Sequence, residues 1–204
     1  MFFAAIDKTG VGPFLALGLL AAGVSGCALR PAPDTFDLSA QPVVAFNTPK
    51  ALRSQLLVPT PSAIQVLNNR GIVVRLGGAE LRYLAGAQWS DQLPVVIQAQ
   101  LVAGLENTGL FAGVGMPGQG LAIDYQVVVE VREFAIDAAG PGSANVELSV
   151  KLLDDRTGIV RAQRLFSASA AVNASASSAV LVAALDDAFS KVQSEIVAWI
   201  ASTL

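Results

Sequence analysis

Histidine is absent from all 204 residues, and cysteine occurs once, at position 27. These two facts remove most nucleophilic and metal chemistry. A Ser-His-Asp triad, a Cys-His pair and a histidine metal site each need an imidazole to carry a proton or hold an ion. Carboxylate-pair hydrolysis needs only two acidic side chains, and Asp124, Glu147 and Asp154 are the positions at which it would be tested. Asp154 and Asp155 open the run Asp154-Asp155-Arg156-Thr157-Gly158, whose composition is that of a turn, and a turn accounts for them better than metal ligation does. Gly113-Val114-Gly115-Met116-Pro117-Gly118 matches the G-x-G-x-x-G spacing. A nucleotide fingerprint must follow a strand and open a helix. Here the motif follows a helical pattern, precedes a strand pattern and contains a proline, so it reads as a connecting loop. No catalytic, cofactor-binding or metal-ligating residue is assigned, and the chain is expected not to be an enzyme.

Cys27 is the one reactive side chain with a context. Val11 to Ala22 form an almost uncharged apolar run, followed by Gly23-Val24-Ser25-Gly26 and then the cysteine. The run has the length of a signal-peptide core and is shorter than the ~20 residues a membrane-spanning helix needs. Small residues before a cut site suit a signal peptidase pocket. The four residues Val24-Ser25-Gly26-Cys27 resemble a lipobox, which in bacterial lipoproteins makes the cysteine residue one and loads it with acyl chains. That resemblance also explains an unpaired cysteine in an exported chain. The segment before the core carries only Lys8, offset by Asp7, and an uncleaved membrane anchor is the main alternative. The expected division is a signal peptide over 1–26, a lipidated Cys27 with its Pro-containing tether over 27–35, and one domain over 36–204.

The rest of the composition narrows the class. A net charge of −3, a pI of about 4.9 and the lack of a basic cluster argue against nucleic acid. The hydrophobic fraction is 53% and the mean hydropathy +0.55. The signal segment inflates both, yet the domain itself is poor in charge and fits one that meets lipid or a partner.

Periodicity supplies the elements. Short strands are expected at Thr35–Leu38, Gln55–Val58, Ala63–Val66, Gly71–Arg75 and Glu80–Leu84, with Pro59 and Pro61 marking an edge or turn and Asn68 to Gly71 a turn. A helix is expected from Asp91 to Thr108. Ser90 or Asp91 would cap it, Pro94 would sit in its first turn, and Gly109 would stop it. Leu93, Ile97, Leu101 and Leu105 make its apolar stripe. Alternation through Ile123 to Arg132, then through Asn145 to Leu152, followed by a turn and a third strand from Ile159 to about Ala171, predicts an antiparallel meander with one covered face. The last helix should run from Ser178 to Ala201 and present Leu181, Leu185, Phe189, Val192, Ile196 and Ile200 to its own sheet. The expected class is α+β: a mixed, largely antiparallel sheet with two main helices packed on it, in a single domain.

Several segments resemble the ABC-type transport auxiliary lipoprotein family, the PqiC-like lipoproteins. They are Gly71-Ile72-Val73-Val74-Arg75, Leu81-Arg82-Tyr83, Trp89, Leu93-Pro94, Leu105 through Phe111, Tyr125-Gln126-Val127, Leu153-Asp154-Asp155, Phe166, and Ala184 through Ile200. The resemblance covers about Phe36 to Ile200. The block 47–54 departs from it, and Tyr83 stands where a Tyr pair is expected. The resemblance implies a non-catalytic accessory part of an envelope lipid-transport system. Such systems pair an ATPase and a permease with a periplasmic protein bearing mammalian-cell-entry (MCE) domains. That protein is the implied partner, the lipid on Cys27 is the implied membrane contact, and homo-oligomerisation stays open. No cofactor is implied. Ala28 follows the cysteine where an Asp would retain an enteric-type lipoprotein at the inner membrane, so the expected place is the periplasmic face of the outer membrane. A structural lipoprotein that regulates cell-wall synthesis or assembles a secretion pore is the alternative.

Overall fold

The structure is a computed structural model that describes residues 32–39 and 52–204. Cys27 and the segment before it lie outside the described residues. The sequence-predicted class holds: one mixed sheet with two helices on it.

The sheet is organised by its longest member. Strand β7 (Tyr125–Asp137) pairs antiparallel with β8 (Ser143–Asp154), and β8 pairs antiparallel with β9 (Val160–Ala171). Alternation places Val127, Val129 and Val131 opposite Leu152, Val150 and Leu148, and Leu148 opposite Phe166; all are buried. A bulge at Arg132 shifts the phase by one residue, between the pairs Val131–Leu148 and Glu133–Glu147. It therefore brings Phe134 and Ile136 to the face that Val131 occupies. Without the bulge Glu133 would face the core.

The other side of β7 is shared by three short strands, all parallel to it. Its first residues meet β2 (Gln55–Leu57), its middle meets β3 (Ser62–Ala63), and its last residues meet β4 (Gly71–Gly77). The β4 strand folds back antiparallel on β5 (Glu80–Trp89), and β1 (Asp34–Phe36) adds parallel to β5 at Trp89. The expected strand at Ala63–Val66 is shorter than its pattern. After Ala63 the backbone turns, with the Leu67 and Asn68 N–H groups donating to the Ile64 carbonyl.

Helix α1 (Leu93–Glu106) buries its whole four-residue stripe, Leu93, Ile97, Leu101 and Leu105. Its start lies two residues beyond the expected one. Neither Ser90 nor Asp91 caps it; Gln92 holds the cap position without a side-chain bond, and Asp91 Oδ1 instead takes the Gln92 N–H at 2.6 Å. Gly109 does end this segment, at φ +63°, in the left-handed region a glycine reaches freely. The glycine-rich loop that follows holds one short strand, β6 (Gly113–Gly115), parallel to β2. Helix α2 (Ser178–Thr203) then covers β7, β8 and β9, with Leu181, Leu185, Phe189, Val192, Ile196 and Ile200 all buried. Phe189 meets Phe134 at 6.0 Å between ring centroids, and Phe134 meets Trp89 edge-on at 5.6 Å. Trp199 stands half-buried at the rim, edge-on to Phe166 at 5.5 Å. Among the described residues no helix is long and apolar enough to cross a membrane.

Candidate functional site

The parallel docking of β2 on β7 brings three distant stretches of chain to one corner. Arg53 and Ser54 lead into β2, Asp124 and Tyr125 open β7, and Asp154 and Arg156 lie where β8 turns towards β9. They line a polar cleft of about 250 Å³. Backbone bonds hold the corner together: Asp124 N–H donates to the Gln55 carbonyl at 3.0 Å, and Asp155 N–H to the Asp124 carbonyl at 2.9 Å. Asp124 Oδ2 accepts the Gln55 N–H at 2.9 Å.

Asp154 is committed to its own turn. Its Oδ1 accepts from the Thr157 N–H at 3.0 Å and the Thr157 hydroxyl at 2.8 Å, and its Oδ2 accepts from Arg161 at 2.7 Å. The Arg161 hydrogen bond, reinforced by both Thr157 donors, lowers its pKa from 3.8 to about 2. The same pair raises Arg161. A carboxylate held ionised in this way is a poor proton donor or acceptor at neutral pH. Its side chain is 7% exposed, so it is the buried staple of the turn, as its sequence context suggested. Asp155 is also engaged, through Gln126 Nε2 at 2.6 Å.

Of the three carboxylates singled out for hydrolysis, the fold brings Asp124 and Asp154 into this cleft and leaves Glu147 elsewhere. Glu147 lies on the outer sheet face, directly across from Glu133, in a separate shallow cleft with Asn145, Ser167 and Ser169. Among the described residues no group of three acidic, histidine or cysteine side chains is placed to hold a metal ion. The glycine motif makes no open phosphate cradle. Met116 N–H donates to Gln119 Oε1 at 2.9 Å, and a Cβ on Gly115 would lie 2.4 Å from that same oxygen and from Leu121.

The cleft arginines escape sequence reasoning. Arg53 and Arg156 lie about a hundred positions apart, Arg53 in no motif and Arg156 in a run that reads only as a turn, and the β2–β7 pairing brings them together.

Residues 36–197 match the family described as the ABC-type transport auxiliary lipoprotein component. The chain belongs to this family. The match spans nearly all of the described fold and agrees with the segments that carried the resemblance. A crystal structure from Xanthomonas campestris is 28% identical, with a TM-score of 0.75 over 83% of this chain and 96% of that one. A Chlamydia trachomatis protein shares the fold at 11% identity, TM-score 0.52, over 74% of this chain and 98% of that one. An uncharacterised protein of Bradyrhizobium diazoefficiens is 30% identical over 151 residues, 74% of this chain. The chain accounts for 40% of that relative's length. Membership places the protein among lipoproteins that assist transport, in a membrane-anchored envelope setting.

Proposed function

We propose that this protein is the accessory lipoprotein of an ABC-type envelope lipid-transport system, that it works without catalysis, and that its partner is a periplasmic protein with MCE domains. Family membership over 36–197 carries the reading. The commitment of Asp154 to its ion pair with Arg161 supports the non-catalytic part, since it leaves the cleft without a second free carboxylate.

Cys27 is the proposed lipid attachment point, after removal of 1–26, with 27–35 as tether and the domain from 36 onward. The outer membrane is the proposed location, from Ala28 after the cysteine. A lipid-anchored accessory protein needs a surface for its partner, and the sheet face opposite α2 offers one. Ile64 and Leu81 are 65% and 38% exposed and border a shallow, mainly apolar cleft with Val66, Val73 and Ala135, flanked by Arg132 and the Arg75–Glu133 pair. Tyr83 stands 51% exposed beside them. Grouped exposed apolar residues of this kind mark contact surfaces.

Affinity purification of the full lipoprotein from solubilised membranes tests the reading. An MCE-domain protein should co-purify, and Ile64→Glu with Leu81→Glu should abolish the capture while the circular dichroism stays unchanged. Purification that repeatedly brings down no MCE-domain protein would overturn the assignment.

A further inference from the structure

The corner cleft has a charge arrangement that the transport reading does not use. The described chain holds eight arginines. Arg75, Arg82, Arg132 and Arg161 pair with Glu133, Glu80, Glu130 and Asp154. Arg70 donates to the Trp89 and Ser90 carbonyls, and Arg164 lies 4.9 Å from the Phe166 ring centroid. Among the described residues only Arg53 and Arg156 lack such a partner, and both line this one cleft. In an acidic protein two unpaired guanidiniums at one place form a local anion-binding potential.

The carboxylates beside them are unequal. Asp154 has both oxygens occupied. Asp124 spends Oδ2 on the Gln55 N–H, which leaves Oδ1 available in a cleft that Tyr125 also lines. A guanidinium fork matches a phosphate diester, whose charge and oxygens it can meet with two parallel bonds. A carboxylate with an aromatic ring suits an ammonium group. The cleft of about 250 Å³ falls below the ~300–1,000 Å³ of a drug-sized site. It admits a polar headgroup and leaves acyl chains outside.

We propose that this cleft binds the headgroup of a zwitterionic phospholipid, with the phosphate between Arg53 and Arg156 and the ammonium against Asp124 and Tyr125. The proposal deepens the lipid-transport reading and rests on it for the source of the ligand. Because the cleft is open, binding is weak and readily reversed, as suits a station through which a lipid passes.

Titration of the full lipoprotein in an uncharged maltoside detergent tests it. The probes are glycerophosphoethanolamine, glycerol phosphate and inorganic phosphate. Glycerophosphoethanolamine should bind saturably and more tightly than the other two. Arg53→Gln and Arg156→Gln should each weaken it about tenfold, the usual worth of a charge-assisted bond. Asp124→Asn keeps an acceptor for the Gln55 N–H, so it should preserve the thermal midpoint. It should weaken glycerophosphoethanolamine and leave glycerol phosphate unchanged. Equal binding of all three probes would reduce the cleft to a plain phosphate site and overturn the zwitterion. Absence of saturable binding, or indifference to both arginine substitutions, would overturn the site itself. Capture of the MCE-domain protein is read separately. Its loss with headgroup binding intact would strike the transport reading and spare the cleft.

Discussion

At the scale of single residues, the chemistry of this protein is the chemistry of staples. Asp154 is ionised in the fold down to a pKa of about 2, against 3.8 for a free carboxylate. Between those two values the unfolded chain binds more protons than the folded one. The Asp154–Arg161–Thr157 contribution is therefore complete above the upper value and is lost as pH falls through the lower one. Asp154→Asn should lower stability at neutral pH and flatten the loss on acidification, which urea midpoints measured from pH 5 to pH 2 will show. Phe189 joins the aromatic chain Trp89–Phe134–Phe189 and is fully buried. Phe189→Ala should cost ~3–5 kcal/mol, the usual toll of truncating a buried Phe; an unchanged denaturation midpoint would show that this face of α2 is not the core. Gly142 sits at φ +91°, and a Cβ there would lie 2.2 Å from the Val172 carbonyl oxygen. Strain and clash act together at that position, so Gly142→Ala should cost more than the ~1–2 kcal/mol of left-handed strain alone, read as a fall in melting temperature.

At the scale of elements, helices and meander are legible in the sequence because their signals are local. The stripes of α1 and α2 and the alternation of β7 and β8 repeat over eight residues or more, and they bury Leu93 to Leu105, Leu181 to Ile200, Val127 to Val131 and Val146 to Leu152 at the spacing named, whereas β9 buries only Phe166. The short strands gave weaker signals for a physical reason. β2, β3 and β6 are two or three residues long, and their pairing is decided by distant partners. Helix α1 is tied to these strands by amides that no pattern announces. Gln98 Nε2 donates to the Val58 carbonyl at 2.8 Å, and Thr60 donates to Gln98 Oε1 at 3.1 Å. Gln100 Nε2 donates to the Leu38 carbonyl at 2.8 Å, and Gln193 of α2 donates to the Gln100 carbonyl. Gln98→Leu keeps the volume and leaves a buried carbonyl without its donor, a loss of about 1–3 kcal/mol. Hydrogen exchange should show it as faster opening around β2 and β3, with the meander protected as before. The candidate site was the least legible part, because Arg53, Asp124 and Arg156 meet only through that same long-range docking.

At the scale of the whole molecule, the domain should fold without the anchor proposed at Cys27. Six residues lie between Cys27 and Asp34, where β1 begins, so a fully extended tether reaches at most about 25 Å over its seven Cα steps. Attached lipid on Cys27 would keep the domain that close to its membrane. The described unit from Ala32 onward has its own core, with Trp89, Phe134, Phe166 and Phe189 all fully buried. A chain beginning at Pro33 and exported by an unrelated signal should therefore be soluble, with a circular dichroism spectrum of mixed helix and strand. Retention on membranes after a high-salt wash would place the anchor on the domain surface instead of Cys27.

The sharing of β7 by three upstream strands also sets an order of assembly. β7, β8 and β9 are joined by short turns, so their pairing closes small loops at little entropic cost. β2, β3 and β4 precede β7 in the chain and cannot pair with it until it has been made. In a chain that emerges from its N-terminus, Leu56 and Val58 wait for a partner that emerges later, while β4 can first pair with β5. Docking of the upstream strands on the finished meander therefore comes last, and in pulse-labelled refolding the amides of Gln55 to Leu57 should be the last to gain protection.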